Sequence, residues 1–111
     1  MDQDFNMFAG DTKTIQVTVT DANTGLAKDI TNATISWALQ QVYKTIIEKS
    51  TTTGGIVITD AVNGVFQILL LPIDTEGFST GFYTHQALVI DNNGTSEVVF
   101  TGTITISDSL F

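Results

Sequence analysis

The chain has no cysteine and no arginine, and it has a single proline and a single histidine among 111 residues. Without cysteine there is no thiolate nucleophile, no zinc–thiolate site and no disulfide framework, and folding in a reducing cytoplasm is possible. A chain of this length buries about two-thirds of its unfolded surface, so it needs neither disulfide nor metal to fold. We expect one domain spanning residues 1–111 with a single core and no cofactor.

Positive charge is also scarce. Twelve acidic residues face four lysines, which gives a net charge of −8. Binding to nucleic acid requires clustered lysine and arginine, and an anionic surface is repelled by phosphates and by anionic lipid headgroups. The start of the chain lacks the basic and apolar segments of a signal peptide, and no apolar run reaches the length of a membrane span. We expect a soluble protein that binds neither nucleic acid nor membranes.

Groups for acid–base catalysis near neutral pH are almost absent, because His85 is the only histidine. It lies in the alternating run F-Y-T-H-Q-A-L-V-I, without a G-x-S-x-G elbow, an H-E-x-x-H helix or a P-loop anywhere in the chain. A catalytic triad needs an oriented nucleophile and a further partner, which the sequence does not show. We predict that His85 is a half-buried packing residue with one nitrogen hydrogen-bonded, and that the protein is not an enzyme.

Three loops begin with aspartate and end with glycine, namely Asp21 to Gly25, Asp60 to Gly64 and Asp91 to Gly94. They resemble calcium loops superficially, but none offers the six to eight oxygens that calcium prefers. Aspartate readily bonds to the backbone two residues on, and glycine adopts positive φ at no steric cost. These loops are predicted to be turns, and no metal site is expected.

Period-two alternation of apolar and polar residues recurs along the chain, which is typical of half-buried β-strands. In T-I-Q-V-T-V-T the residues Ile15, Val17 and Val19 share one face. In T-I-S-W-A-L-Q the inward residues are Ile35, Trp37 and Leu39, with Trp37 as the large core aromatic. Seven or eight short strands separated by turns predict an all-β, antiparallel β-sandwich.

Individual residues predict where particular strands lie, end and turn. The lysines of Y-K-T-I-I-E-K favour an exposed or edge strand, and Pro72 is expected to end the strand G-V-F-Q-I-L-L-L. One helical turn fits between Asp74 and Gly81. The N-N-G turn predicts a hairpin, on whose second arm an inward face is expected to hold the following residues: Val98, Phe100, Gly102, Ile104 and Ile106.

Apolar residues cluster at both ends of the chain. They are Phe5, Met7, Phe8, Leu110 and Phe111. Such residues either tuck into the sandwich or mark contact with a partner. We therefore treat all five as candidate partner contacts, with pairing along a sheet edge as an alternative for the segment 5–8.

The blocks G-D-T-K-T-I-Q-V-T-V-T-D and D-I-T-N-A-T-I-S-W-A-L-Q resemble the immunoglobulin-like domains of bacteriophage virion proteins. With G-V-F-Q-I-L-L, I-D-T and G-F-Y-T-H-Q, they look most like the amino-terminal domain of the phage baseplate upper protein family. The resemblance implies an immunoglobulin-like sandwich in which Tyr83 lies two residues before a core-facing position, held here by His85. It also implies a structural or attachment role in a virion, synthesis in the bacterial cytoplasm, and docking onto other virion proteins or onto itself.

A second function remains open at this point. A β-sandwich of a fibre or adhesin can instead bind carbohydrate or a cell surface, which requires exposed aromatic side chains on a concave sheet. Tyr43, Phe78 and Phe82 are the candidates for that role.

Overall fold

The computed structural model describes residues 4–21, 23–41 and 44–110, with the side chains of 44 and 45 left aside. These residues form eight strands and one short helix. In chain order they are β1 (Phe5–Phe8), β2 (Lys13–Thr18), β3 (Thr34–Gln41), β4 (Lys44–Ser50), β5 (Ile56–Asp60), β6 (Val65–Leu70), α1 (Pro72–Thr75), β7 (Gly81–Ile90) and β8 (Ser96–Ser107).

The strands form two sheets. The five-stranded sheet has the order β1-β8-β7-β3-β4, and the three-stranded sheet has the order β2-β6-β5. β1 runs parallel to β8, and every other pairing is antiparallel. The predicted all-β sandwich of seven to eight strands is confirmed.

The core between the sheets follows the predicted alternation. On β2, Ile15 and Val17 are buried, and on β3, Ile35, Trp37 and Leu39 are buried. Full burial of a large apolar side chain contributes about 1.5–3 kcal/mol, so these alternating positions fix which face of each strand turns inward. The prediction of Trp37 as a core aromatic is confirmed.

An ion pair connects the edge strand β4 to α1. β4 is an edge strand, as its lysines predicted, and Lys49 Nζ lies 2.9 Å from Asp74 Oδ2 of α1. The helical turn begins at Pro72 rather than Asp74, because proline suits the first helical position and Asp74 accepts the N–H of Leu71 at 2.6 Å. Within the described residues no helix has the length and apolarity needed to span a membrane.

The inward face predicted for β8 is wrong at one residue. The β7–β8 register shifts between Ala87 and Leu88, so Phe100 pairs with Ala87 while Val98 pairs with Leu88. The extra residue is Val99, and a bulge of this kind reverses which side the preceding residues face. Val98 therefore lies on the outer face, where it is 53% exposed.

The apolar residues near the chain ends separate into two groups. Met7 is 6% exposed and belongs to the domain's own core, and the Phe5 ring meets His85 edge-on with centroids 5.7 Å apart. Of the two interpretations given for apolar residues near the chain ends, these two fit the first, because they tuck into the sandwich as part of β1; their contact with a partner stays a prediction. Phe8 and Leu110 are exposed, and Phe111 lies outside the described residues.

Candidate functional site

His85 is enclosed by aromatic rings at the centre of the five-stranded sheet. Its Nδ1 accepts the indole N–H of Trp37 at 3.1 Å, and the centroid of Phe100 lies 5.1 Å away. Because tryptophan only donates, the imidazole is neutral with its proton on Nε2. The side chain is 0% exposed rather than half-buried as predicted. The packing role is confirmed, and the ring has no access to a substrate in solution.

Tyr83 fixes the corner that leads into β7. Its hydroxyl donates to the carbonyl of Ser79 at 2.7 Å, and its ring stacks on Phe78 with centroids 5.5 Å apart. A tyrosine of this kind, bonded to the backbone a few residues upstream and two residues before a core position, is the tyrosine corner of immunoglobulin sandwiches. The places expected for Tyr83 and His85 are therefore confirmed.

The aspartate loops are turns, as predicted. Asp21 Oδ1 accepts the N–H of Asn23 at 2.8 Å, and Asp91 Oδ1 accepts the N–H of Asn93 at 3.0 Å. Asp60 Oδ1 accepts the N–H of Asn63 at 3.4 Å. Each terminal glycine has positive φ, between 71° and 86°. No cluster of three or more histidine or acidic side chains that suits a metal occurs in the described part of the chain.

We expect calcium or EDTA to leave the melting temperature of the protein unchanged. The carboxylates of Asp21 and Asp91 are already occupied by backbone N–H groups, whereas a site filled at about 100 times its dissociation constant would add roughly 2.7 kcal/mol. Thermal melts with and without calcium test this. A calcium-dependent rise that disappears in Asp21→Asn or Asp91→Asn would contradict the turn assignment.

Asp29, in the block D-I-T-N, is another aspartate whose carboxylate is hydrogen-bonded to a nearby backbone N–H group. It accepts the hydroxyl of Thr31 at 2.5 Å and the N–H of Thr31 at 2.9 Å. These bonds lower the pKa of Asp29 from its ordinary value of 3.8. The carboxylate is ionised at neutral pH and closes a turn, so it is not tuned for general acid or base work.

Phe8 and Leu110 come together at the α1 end of the sandwich, although they lie at opposite ends of the chain. They border a cleft of about 230 Å³, called here the end cleft, lined by Phe8, Asp11, Asp108, Ser109 and Leu110. A second cleft of about 770 Å³ shares Asp11 and Asp108 with it and extends to Glu76 and Phe78. Phe8 is 56% exposed and Leu110 is 96% exposed.

Two hydrogen bonds between distant segments hold this end in place. The N–H of Gly10 donates to the buried Thr75 hydroxyl at 2.8 Å, which ties the β1–β2 turn to α1. The N–H of Asp108 donates to the Thr80 hydroxyl at 3.0 Å, which ties the segment after β8 to the start of β7. Asp11, Glu76 and Asp108 line the two clefts, and no lysine among the described residues does so. The end cleft is thus an acidic site with two exposed apolar side chains.

Of the three aromatic residues proposed for carbohydrate binding, the two that the structure describes differ in exposure. Phe78 is half-buried against Tyr83, and Tyr43 lies outside the described residues. Phe82 is 74% exposed on the outer face of β7. Among the candidates that lie in the described part of the chain, Phe82 is thus the exposed one, and carbohydrate binding stays a prediction.

The strand order defines the class of the fold. β2, β6 and β5 take the places of strands B, E and D of an immunoglobulin domain, and β3, β4, β7 and β8 take those of C, C′, F and G. With the tyrosine corner and Trp37 on strand C, the chain is an immunoglobulin-like β-sandwich.

Comparisons with known proteins add little to this. No protein-family description matches the chain, and no curated protein matches it. A solved structure of murine CRIg is similar to this chain at 14% sequence identity and a TM-score of 0.40, over 96% of this chain and 92% of that one.

Proposed function

We propose that the chain is a non-enzymatic structural or attachment module of a phage or prophage particle, which docks onto another virion protein through its end cleft. The observation that carries the proposal is the meeting of Phe8 and Leu110 at an acidic end of the sandwich. Contiguous apolar residues rimmed by polar groups are typical of interaction sites.

The chemistry of the end cleft specifies the partner. Phe8 and Leu110 supply exposed apolar area, while Asp11 and Asp108 supply negative charge beside it. Complementary potentials steer encounter and fix register, whereas desolvated apolar side chains supply most of the affinity. The partner is expected to present an apolar pocket or ridge flanked by lysine or arginine.

The resemblance to phage virion domains supports the biological setting. The block that begins at Gly10 forms the β1–β2 turn and β2, and the block G-F-Y-T-H-Q opens β7 beside the tyrosine corner. The enclosed position of His85 supports a role without catalysis. Assignment to a virion rests on that resemblance and on the docking chemistry together.

Purified particles from a bacterium that carries the coding sequence provide the test. We expect mass spectrometry to detect the wild-type protein in these particles. The double variant Phe8→Ser with Leu110→Ser should reduce incorporation about tenfold or more, because truncation of a hot-spot side chain removes about 2 kcal/mol or more of binding free energy. Melting temperatures should change little, since both side chains are exposed.

Val62→Ser is the matched control. Val62 is 66% exposed in the β5–β6 turn, far from α1, so its replacement should leave incorporation unchanged. Absence of the wild-type protein from particles would refute the virion setting, and normal incorporation of the double variant would refute the end cleft as the docking site.

A further inference from the structure

Charge is distributed unevenly over the sandwich. The outward side chains of β3, β7 and β8 are serine, threonine, glutamine, alanine, leucine, isoleucine, valine and phenylalanine, with no charge among them. Glu97 of β8 lies on the other side, where it pairs with Lys28 at 3.5 Å. Among the described side chains of the five-stranded sheet, Glu48 on the edge strand β4 is the charged one on the outer face. Asp4, which precedes β1, borders Phe82 on the same side. A protein of net charge −8 therefore has one large face with few charges, called here the neutral face.

The neutral face carries both a projection and a groove. Phe82, near the start of β7, projects from it with 74% of its side chain exposed. Near the other end of β7, a groove of about 390 Å³ is lined by Ser36, Ala38, Leu88 and Val98, with Glu48 and Lys49 of β4 also lining it. The groove has an apolar floor because small residues of β3 lie beside Leu88 and Val98. Its volume is larger than that of a phenyl ring.

The two features are placed so that the face is complementary to itself. Phe82 and Leu88 lie on one strand, six residues or roughly 20 Å apart at the usual rise of a β-strand. A twofold axis that crosses the strands midway between them, near Thr84 and Gln86, brings each phenylalanine over the partner's groove. Such an isologous contact closes after two copies and makes the same interaction twice.

We propose that two copies of this chain associate face to face through the outer surface of the five-stranded sheet, with Phe82 of each copy in the groove at Leu88 and Val98 of the other. The interface adds a second surface to the docking role proposed above and does not depend on the end cleft. Its occupant is a second copy because the projection and the groove belong to one face, and that face carries few of the protein's charges.

The area of this face is sufficient for a specific dimer. Five strands about 4.8 Å apart and about eight residues long cover roughly 600 Å², or about 1,200 Å² for two copies, which exceeds the roughly 1,000 Å² that a specific interface needs. The three-stranded sheet, with shorter strands, covers roughly 250 Å² on the same basis. Its outer face is therefore too small for such a dimer.

Sedimentation velocity or light scattering over a range of protein concentration tests the proposal. We expect wild-type protein to dimerise reversibly, and Val98→Lys and Phe82→Ser each to raise the dimer dissociation constant about tenfold or more. Val57→Lys is the matched control, because Val57 is a strand valine of similar exposure, 49% against 53% for Val98, on the outer face of the three-stranded sheet. It should leave dimerisation unchanged. Melting curves verify that each variant is folded.

Mixing the two variants separates reciprocal contact from other causes of association. In a mixed dimer of Phe82→Ser and Val98→Lys, one intact phenylalanine meets one intact groove, so the mixture is expected to associate more strongly than either variant alone.

Higher ionic strength should strengthen dimerisation of the wild type, since salt screens repulsion between two chains of net charge −8.

The proposal would be overturned by a wild-type protein that is monomeric at about 1 mM, because its dimerisation would then be weaker than roughly 4 kcal/mol. It would also be overturned if Val57→Lys weakened dimerisation as much as Val98→Lys does. A mixture of Phe82→Ser and Val98→Lys that associates no better than either variant alone would have the same meaning. Saccharide binding abolished by Phe82→Ser, without self-association, would also overturn it and assign the face to a glycan. Phe8 and Leu110 are unchanged in these variants, so a negative result here does not bear on the end cleft. The end cleft is tested separately by the particle assay.

Discussion

Replacement of Gly64 by alanine is expected to lower the free energy of unfolding by about 3–5 kcal/mol. A left-handed φ costs a residue with a side chain about 1–2 kcal/mol, and Gly64 has φ of +72°. An added Cβ would lie 2.5 Å from the carbonyl oxygen of Lys28 and 2.7 Å from that of Val19. Both contacts are with backbone, so relief requires main-chain movement.

That movement would break hydrogen bonds that close the end of the sandwich opposite α1. Gly64 O accepts the N–H of Val19 at 2.8 Å, and Val19 O accepts the N–H of Lys28 at 2.9 Å. Each broken backbone bond costs about 0.5–1.5 kcal/mol or more when a buried group is left without a partner. The clash therefore adds to the strain of the left-handed conformation.

Gly25→Ala and Gly94→Ala are matched controls for this substitution. Both glycines end turns of the same aspartate-to-glycine type and have φ of +71° and +86°, but nothing lies within 4 Å of the added Cβ. They should lose only the conformational term of about 1–2 kcal/mol. Urea denaturation of the three variants measures the difference, and equal losses would show that contact with the backbone at Gly64 relaxes at no cost.

Replacement of His85 by leucine is expected to destabilise the fold by about 2–4 kcal/mol. The indole N–H of Trp37 would lose its buried acceptor, at a cost of about 1–3 kcal/mol. Loss of the edge-on ring contacts with Phe5, Trp37 and Phe100, which the apolar leucine side chain replaces in part, would add about 1 kcal/mol. His85→Gln should cost less, about 0.5–2 kcal/mol, because an amide oxygen can replace Nδ1 as acceptor.

A double-mutant cycle isolates the hydrogen bond. Trp37→Phe removes the donor, so His85→Leu in that background no longer strands a buried N–H group, and the double variant should be more stable than the sum of the single losses predicts by about 1–2 kcal/mol. Denaturant unfolding of the four proteins provides the measurement. Additive losses would show that the bond between Trp37 and His85 contributes nothing beyond packing.

The residues whose faces were predicted correctly lie in regular strands. Ile15 and Val17 on β2, and Ile35 and Trp37 on β3, are buried because period-two alternation translates directly into sides of a pleated strand. The aspartate turns were equally predictable, since their hydrogen bonds join residues two to four apart. These features are determined by residues that are close together in the sequence.

The features that were missed depend on contacts between distant segments. Val98 faces outward because of a bulge against β7 that composition does not signal. Full burial of His85 depends on the register that brings Trp37, 48 residues away, to its Nδ1. Likewise, Phe8 and Leu110 meet because β1 pairs with the end of β8. No local pattern specifies these pairings, so the end cleft and the groove emerge only once the sheets are assembled.

The parallel pairing of β1 with β8 has a mechanical consequence. Phe5 pairs with Ile104 at the start of β1, and Phe8 pairs with Ser107 at the end of β8. A tensile force applied through the two chain ends therefore pulls these strands in opposite directions along their length, so the load falls on all the hydrogen bonds between them at once. Antiparallel end strands pulled from the same side would instead open one bond at a time. Separation of β1 from β8 under such a load is therefore a shearing event, in which these hydrogen bonds must break together.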